Sequence, residues 1–126
     1  MVIDDPEILA EVEKIFTVYE VALLANDNAL LTTMFLDSPA TVRYGLNDIQ
    51  QGHDEVVAFR ATQSAFTRKL DRTVISSYGR DCATASTLFI RDDTPGKIGR
   101  QTQVWVRTQS GWKVAAAHVS MMDASS

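Results

Sequence analysis

The chain has 126 residues, with 12 lysines and arginines against 16 aspartates and glutamates and a formal net charge of −4. That balance excludes a nucleic-acid binder, which needs a basic excess or a clustered basic patch to hold phosphates. At 45% apolar and 8% aromatic residues, one ordinary core can form and a disordered chain is excluded. The longest apolar run, Val21 to Ala25, is far short of the roughly 20 residues that span a bilayer, so membrane insertion is excluded too. Met1-Val2-Ile3-Asp4-Asp5 shows neither the basic start nor the apolar stretch of a secretory signal. Cys82 is the only cysteine; it reads as a small buried side chain in a reducing cytoplasm.

In chain order, Asp5-Pro6-Glu7 is a helix start, with a capping carboxylate, proline at the first helical position and a second carboxylate near the positive end of the dipole. The helix is predicted to run to about Asn26. Ile8, Val12, Ile15, Phe16, Tyr19, Ala22 and Leu23 form its apolar stripe. A shorter helix is predicted over 28–35, with Leu30, Leu31, Met34 and Phe35 inward, ending before Ser38-Pro39. A short strand is predicted over 40–45, and Gly52-His53-Asp54 opens a third helix carrying Val56, Val57, Phe59 and Ala61. After Leu70 the period changes, and strands are predicted at about 70–78, 82–91, 99–108 and 112–121, joined by hairpin turns.

Helices followed by an antiparallel meander make an α+β fold, here a single domain over residues 1–126. The last strands carry Val104, Val106, Val114, Val119, Trp105, Trp112 and three consecutive alanines on both parities. A sheet apolar on both faces needs a second cover, so a homodimer or higher homo-oligomer is expected.

No G-x-G-x-x-G, Walker A, H-E-x-x-H or G-x-S-x-G pattern is present. His53 and His118 stand 65 positions apart, with no carboxylate at metal-ligand spacing. A site without metal or cofactor is therefore expected. Tyr19, inside the apolar stripe, is either a packing residue with its hydroxyl on a backbone carbonyl or a phenol at the floor of a pocket. Arg43, in Thr41-Val42-Arg43-Tyr44-Gly45, lies either on a solvated edge or inward, where a buried guanidinium must meet an acidic side chain or a carboxylate ligand.

The closing segment, with Trp105, Gly111-Trp112 and His118-Val119-Ser120, resembles the nuclear transport factor 2-like superfamily, and the order of elements matches along the whole chain. Finer motifs are Tyr19-Glu20 with Ala25-Asn26-Asp27, Thr41-Val42-Arg43-Tyr44-Gly45 with Gly52-His53, Phe59-Arg60, Arg72-Thr73-Val74, Tyr78-Gly79-Arg80-Asp81 and Ala83-Thr84-Ala85. They resemble a small bacterial branch similar to the oxalurate-catabolism accessory protein and to 1,3-dicarboxyurea decarboxylase. The resemblance implies a cone of three N-terminal helices on a curved, mainly antiparallel sheet, with Tyr19 and Arg43 as the principal active-site residues.

What the resemblance implies in chemistry is loss of carbon dioxide from a small anionic ureide. Arginine is suited to hold the carboxylate and the phenol to supply a proton. The rival expectation is a ligand-binding or accessory subunit partnering an amidase-type hydrolase. A proton-shuffling isomerase would prefer an inward carboxylate, and none stands out. Arg60, which shares a face with Val56 and Val57, is a candidate for a second substrate carboxylate, with a snorkelling side chain as the alternative. His118 is a further candidate pocket residue, or else a satisfied core histidine; Gln103 and Ser120 are candidate hydrogen-bond donors. Asp92-Asp93 reads as a solvated turn.

Overall fold

The computed structural model describes residues 1–125. Helix α1 spans Pro6–Ala25, capped by the Asp5 carboxylate, which accepts a 3.0 Å hydrogen bond from the Glu7 amide. It ends at Asn26, which adopts a left-handed conformation, and Asp27 immediately caps α2, Asn28–Met34. Two capping residues in succession turn the chain sharply and fold α2 back on α1. The predicted stripe is the buried face of α1: Ile8, Val12, Phe16, Tyr19, Ala22 and Leu23 are buried, and Ile15 is partly so. Full burial of a large apolar side chain of this kind stabilises by about 1.5–3 kcal/mol, so the face anchors the helix. On α2 only Leu31 and Met34 are buried, followed by Phe35; Leu30, expected inward, is exposed because the helix is too short to bury more than one narrow face.

Strand β1, Val42–Tyr44, is followed by a strand absent from the sequence expectation, β2, Ile49–Gln51, which closes a small antiparallel hairpin. Helix α3, His53–Arg60, buries Val56 and Arg60 one turn apart and leaves Val57 exposed, as is Ala61 just beyond its end, against expectation. The long strands are β3 (Arg68–Tyr78), β4 (Cys82–Arg91), β5 (Lys97–Thr108) and β6 (Gly111–Asp123). They form one six-stranded sheet in the order β2-β1-β6-β5-β4-β3. Every pairing is antiparallel except β1 with β6. Cys82 is half-buried rather than buried.

Two bulges bend this sheet around the helices. One is in β3 between Asp71 and Val74, where Arg72 has a φ of 54°. The other is in β6, where Val104 faces Ala116 and Trp105 faces Val114, leaving Ala115 as the extra residue. The second bulge changes parity: Trp112 and Val114 point inward before it, and Ala117 and Val119 line the inner cavity after it. Val114 and Val119 therefore occupy one face despite their opposite parity, and the two-faced apolarity inferred from the last strand is partly a consequence of the bulge. Across the hairpin, Arg107 and the Trp112 indole both donate to the Glu11 carboxylate, at 2.9 and 3.0 Å, which ties β5 and β6 to the first half of α1. The Trp112 bond, with Arg107, holds that carboxyl below its usual range.

Candidate functional site

Between the C-terminal half of α1, α3 and the inner face of the sheet lies a cavity of about 210 Å³. It is smaller than the roughly 300–1,000 Å³ typical of sites for drug-sized ligands, which suits a small metabolite. Small side chains leave the space. Ala117 sits in the sheet between Arg43 on β1 and Gln103 on β5, so the long polar side chains on either side rise over an alanine. Tyr19, Arg43, Arg60 and Gln103, each proposed from sequence, line this cavity together.

Tyr19 is 4% exposed. Its ring meets Phe35 and Trp105 edge-on, with centroids 6.1 and 6.0 Å away, so packing alone sets its direction. No hydrogen bond among the described residues uses its hydroxyl, so the carbonyl partner of the packing alternative is absent. Gln103 accepts a 3.1 Å hydrogen bond from the Trp105 indole and stiffens the same wall.

Arg43 points inward and meets an acidic side chain. Its Nη1 donates to Asp48 Oδ1 at 2.6 Å and to Gln50 Oε1 at 2.8 Å. The β1–β2 hairpin brings these partners back over the strand, and Gly45 permits it: a Cβ there would overlap the Asp48 carboxylate and the Arg43 guanidinium. Burial pushes the Asp48 carboxyl up, but the hydrogen bonds from Gln50 and Arg43 prevail and leave it below its ordinary value of 3.8.

The cavity wall holds three further arginines, and two of them are neutralised in the same way. Arg68 is clamped by Glu20 through two hydrogen bonds of 2.9 and 2.6 Å, and its guanidinium stacks 4.7 Å from the Phe89 ring centre. Arg91 pairs with Asp93 at 2.8 and 2.7 Å. Arg60 is the exception. It is 5% exposed, forms no ion pair among the described residues, and its Nε has no hydrogen-bond partner. Its guanidinium lies 4.7 Å from the Phe59 ring centre, and that of Arg43 lies 4.4 Å from the same ring. Burial pulls the Arg60 pKa down and Arg43 and Arg68 reinforce that shift; Tyr19 and the Asp48 carboxylate, which is paired with Arg43 rather than Arg60, oppose it. A buried cation without an anion is costly, so this cavity is complementary to a negatively charged ligand.

His118 and Ser120 do not join the site. The bulge at Ala115 turns both to the opposite face of β6, where His118 is exposed against the Tyr44 ring and Ser120 accepts a hydrogen bond from Arg100. Asp48, Gln50, Arg68 and Gln101 are site residues that the sequence reading missed. For Gln101 a signal existed: Gln101, Gln103 and Trp105 alternate on β5 and all face inward.

A curved sheet wrapped around three helices, with a polar cavity between them, defines the nuclear transport factor 2-like class, as the closing motif implied. A protein of that superfamily from Salmonella enterica shares the fold at 24% identity and a TM-score of 0.72, over 96% of this chain and 94% of that one. A family model described as AtzH-like matches residues 1–125, and the chain belongs to the AtzH-like family. It is similar to a cystatin-like fold protein from Burkholderia xenovorans, at 41% identity and a TM-score of 0.95, over 99% of each chain. It is also similar to a protein of unknown function from Pectobacterium atrosepticum, at 43% identity and a TM-score of 0.92, over 96% of this chain and 95% of that one. No curated protein matches it.

Proposed function

We propose that the protein removes carbon dioxide from a small carboxylated urea of the 1,3-dicarboxyurea type without a cofactor. The observation that carries this reading is the buried Arg60 guanidinium, which has no ion pair among the described residues and shares a cavity with the Tyr19 hydroxyl, which joins no hydrogen bond among them. The resemblance of the Tyr19 and Arg43 motifs to those of a dicarboxyurea decarboxylase points to the same chemistry.

A carboxylated urea is a carbamate anion. Its C–N bond breaks when the nitrogen gains a proton: the bonding pair stays on nitrogen and the carboxylate leaves as carbon dioxide. In the proposed step the guanidiniums of Arg43 and Arg60 orient the anion, and the Tyr19 hydroxyl delivers the proton. The transient phenolate is stabilised by Arg60, which lines the same cavity, and it recovers its proton from water. The apolar walls given by Leu23, Phe59, Phe66 and Val119 strengthen each of these interactions.

The test is release of carbon dioxide from freshly generated 1,3-dicarboxyurea, compared with its uncatalysed decay. Acceleration by wild-type protein is expected. Tight binding with no acceleration would instead favour a ligand-binding subunit that partners an amidase-type hydrolase.

A further inference from the structure

Gln101 is tied into the chain Glu20–Arg68–Gln101: the carboxylate of Glu20 clamps Arg68, whose Nη1 donates to Gln101 Oε1 at 3.1 Å. A guanidinium only donates, so this bond fixes which end of the amide faces Arg68. The amide nitrogen is thereby turned away. It is buried without a hydrogen-bond partner, as is Arg60 Nε, and both residues are 5% exposed and line the same cavity. Protein interiors leave few N–H donors unpaired. The Gln101 amide and Arg60 Nε, which belongs to the one cavity-lining guanidinium without a carboxylate partner among the described residues, together form a donor set that lacks its acceptor. A carboxylate, which only accepts, is the complementary group.

Charge distinguishes this position from the one beside Arg43. Arg43 already holds Asp48, whereas Arg60 has no such partner among the described residues. A carboxylate that departs as carbon dioxide loses its charge in the reaction. Holding it on an unopposed cation would stabilise the reactant more than the transition state and slow the step. A carboxylate that persists suffers no such penalty. Both guanidiniums lie under 5 Å from the centre of the Phe59 ring and line the same cavity, so one small molecule in it can meet both.

We propose that Arg60 and Gln101 anchor the carboxylate that the substrate keeps, while the carboxylate that it loses lies beside Arg43 and Tyr19. This assignment rests on the decarboxylase reading for its second half; the anchor itself rests on the unpaired donors.

Calorimetry with two unreactive probes tests the anchor. Glutarate carries a carboxylate at each end, and glutaramate replaces one of them with an amide. With one unopposed cation in the site, glutaramate should bind within about threefold of glutarate, because a single charge-assisted anchor supplies most of the affinity. Arg60→Gln and Gln101→Leu should each weaken both probes by about ten- to hundredfold. Arg60→Lys keeps a charge with a poorer donor geometry and should fall between wild type and Arg60→Gln. It also serves as the second variant if Arg60→Gln does not fold.

With 1,3-dicarboxyurea as substrate, Gln101→Leu should raise KM by about tenfold and leave kcat within about threefold. Loss of kcat at unchanged KM would place the departing carboxylate at this anchor and overturn the assignment. Glutaramate binding unaffected in folded Arg60→Gln or Arg60→Lys protein would overturn the anchor. If wild-type protein showed no turnover but the predicted binding pattern held, the decarboxylase reading would fail and the anchor would stand.

Discussion

At the scale of single residues, Tyr19 has packing and chemistry assigned to different atoms. Its ring is needed against Phe35 and Trp105, while its hydroxyl joins no hydrogen bond among the described residues. Tyr19→Phe should therefore leave the melting temperature nearly unchanged and lower turnover by about 10² to 10⁴, the usual contribution of a general acid. Full turnover by the variant would remove the phenol from the mechanism. Asp48 acts differently, through Arg43. Its folded-state pKa is depressed, so the stability it contributes is present above its unfolded pKa and lost as pH falls through the lower, folded value. The stability difference between wild-type and Asp48→Asn protein should be flat from neutral pH to about 5 and shrink below about 4, measured by urea unfolding at each pH. A difference that vanished already near pH 6 would contradict this assignment.

Among the secondary-structure elements, the β1–β2 hairpin does most to shape the site. It returns Asp48 and Gln50 over Arg43, and it does so only because Gly45 lacks a Cβ. Gly45→Ala should cost about 1–3 kcal/mol in urea unfolding through steric overlap, and should also weaken glutarate binding by displacing the Arg43 pair. An alanine variant with wild-type stability and affinity would show that the hairpin can shift freely. Strand β5 has a comparable constraint at Gly99, where a Cβ would enter the Phe89 ring on which Arg68 stacks. That ring is part of the support behind the Glu20–Arg68–Gln101 chain, so a backbone requirement on one strand reaches the cavity through an aromatic side chain and a salt bridge.

At the scale of the whole molecule, the helices cover one face of the sheet and leave the other open. That open face carries Val74, 60% exposed, Ile90, 52%, Met122, 45%, and Tyr44, 42%, alternating with Thr84, Ser86 and Thr102. Although the β6 bulge returns some valines to the core, enough apolar surface remains on this outer face for a second copy to cover. Light scattering at micromolar protein is expected to give the mass of a dimer or a higher multiple. Mutating Val74 and Ile90 to lysine should shift it toward monomer; a monomeric wild type would sink this expectation. No helix among the described residues is long and apolar enough to cross a membrane.

Local sequence sufficed for what repeats over a few residues. The stripe on α1, the cap at Asp5, and the period-two pattern of the long strands all follow from the order and spacing of side chains along one element. Those patterns placed Tyr19 inside, and the closing motif with the order of elements pointed to the nuclear transport factor 2-like fold. What they could not supply was direction and pairing. Whether Arg43 faced solvent or core depended on Asp48 and Gln50 returning on the β1–β2 hairpin, and the pairing of Arg68 depended on Glu20, 48 positions away. His118 and Ser120 show the physical reason most clearly. Alternation continued from Trp112 and Val114 would carry them into the core, but one extra residue, Ala115, reverses the strand beyond it. A bulge is decided by how neighbouring strands fit, so only the tertiary structure could determine which side chains met in the cavity and which arginine was left without an anion.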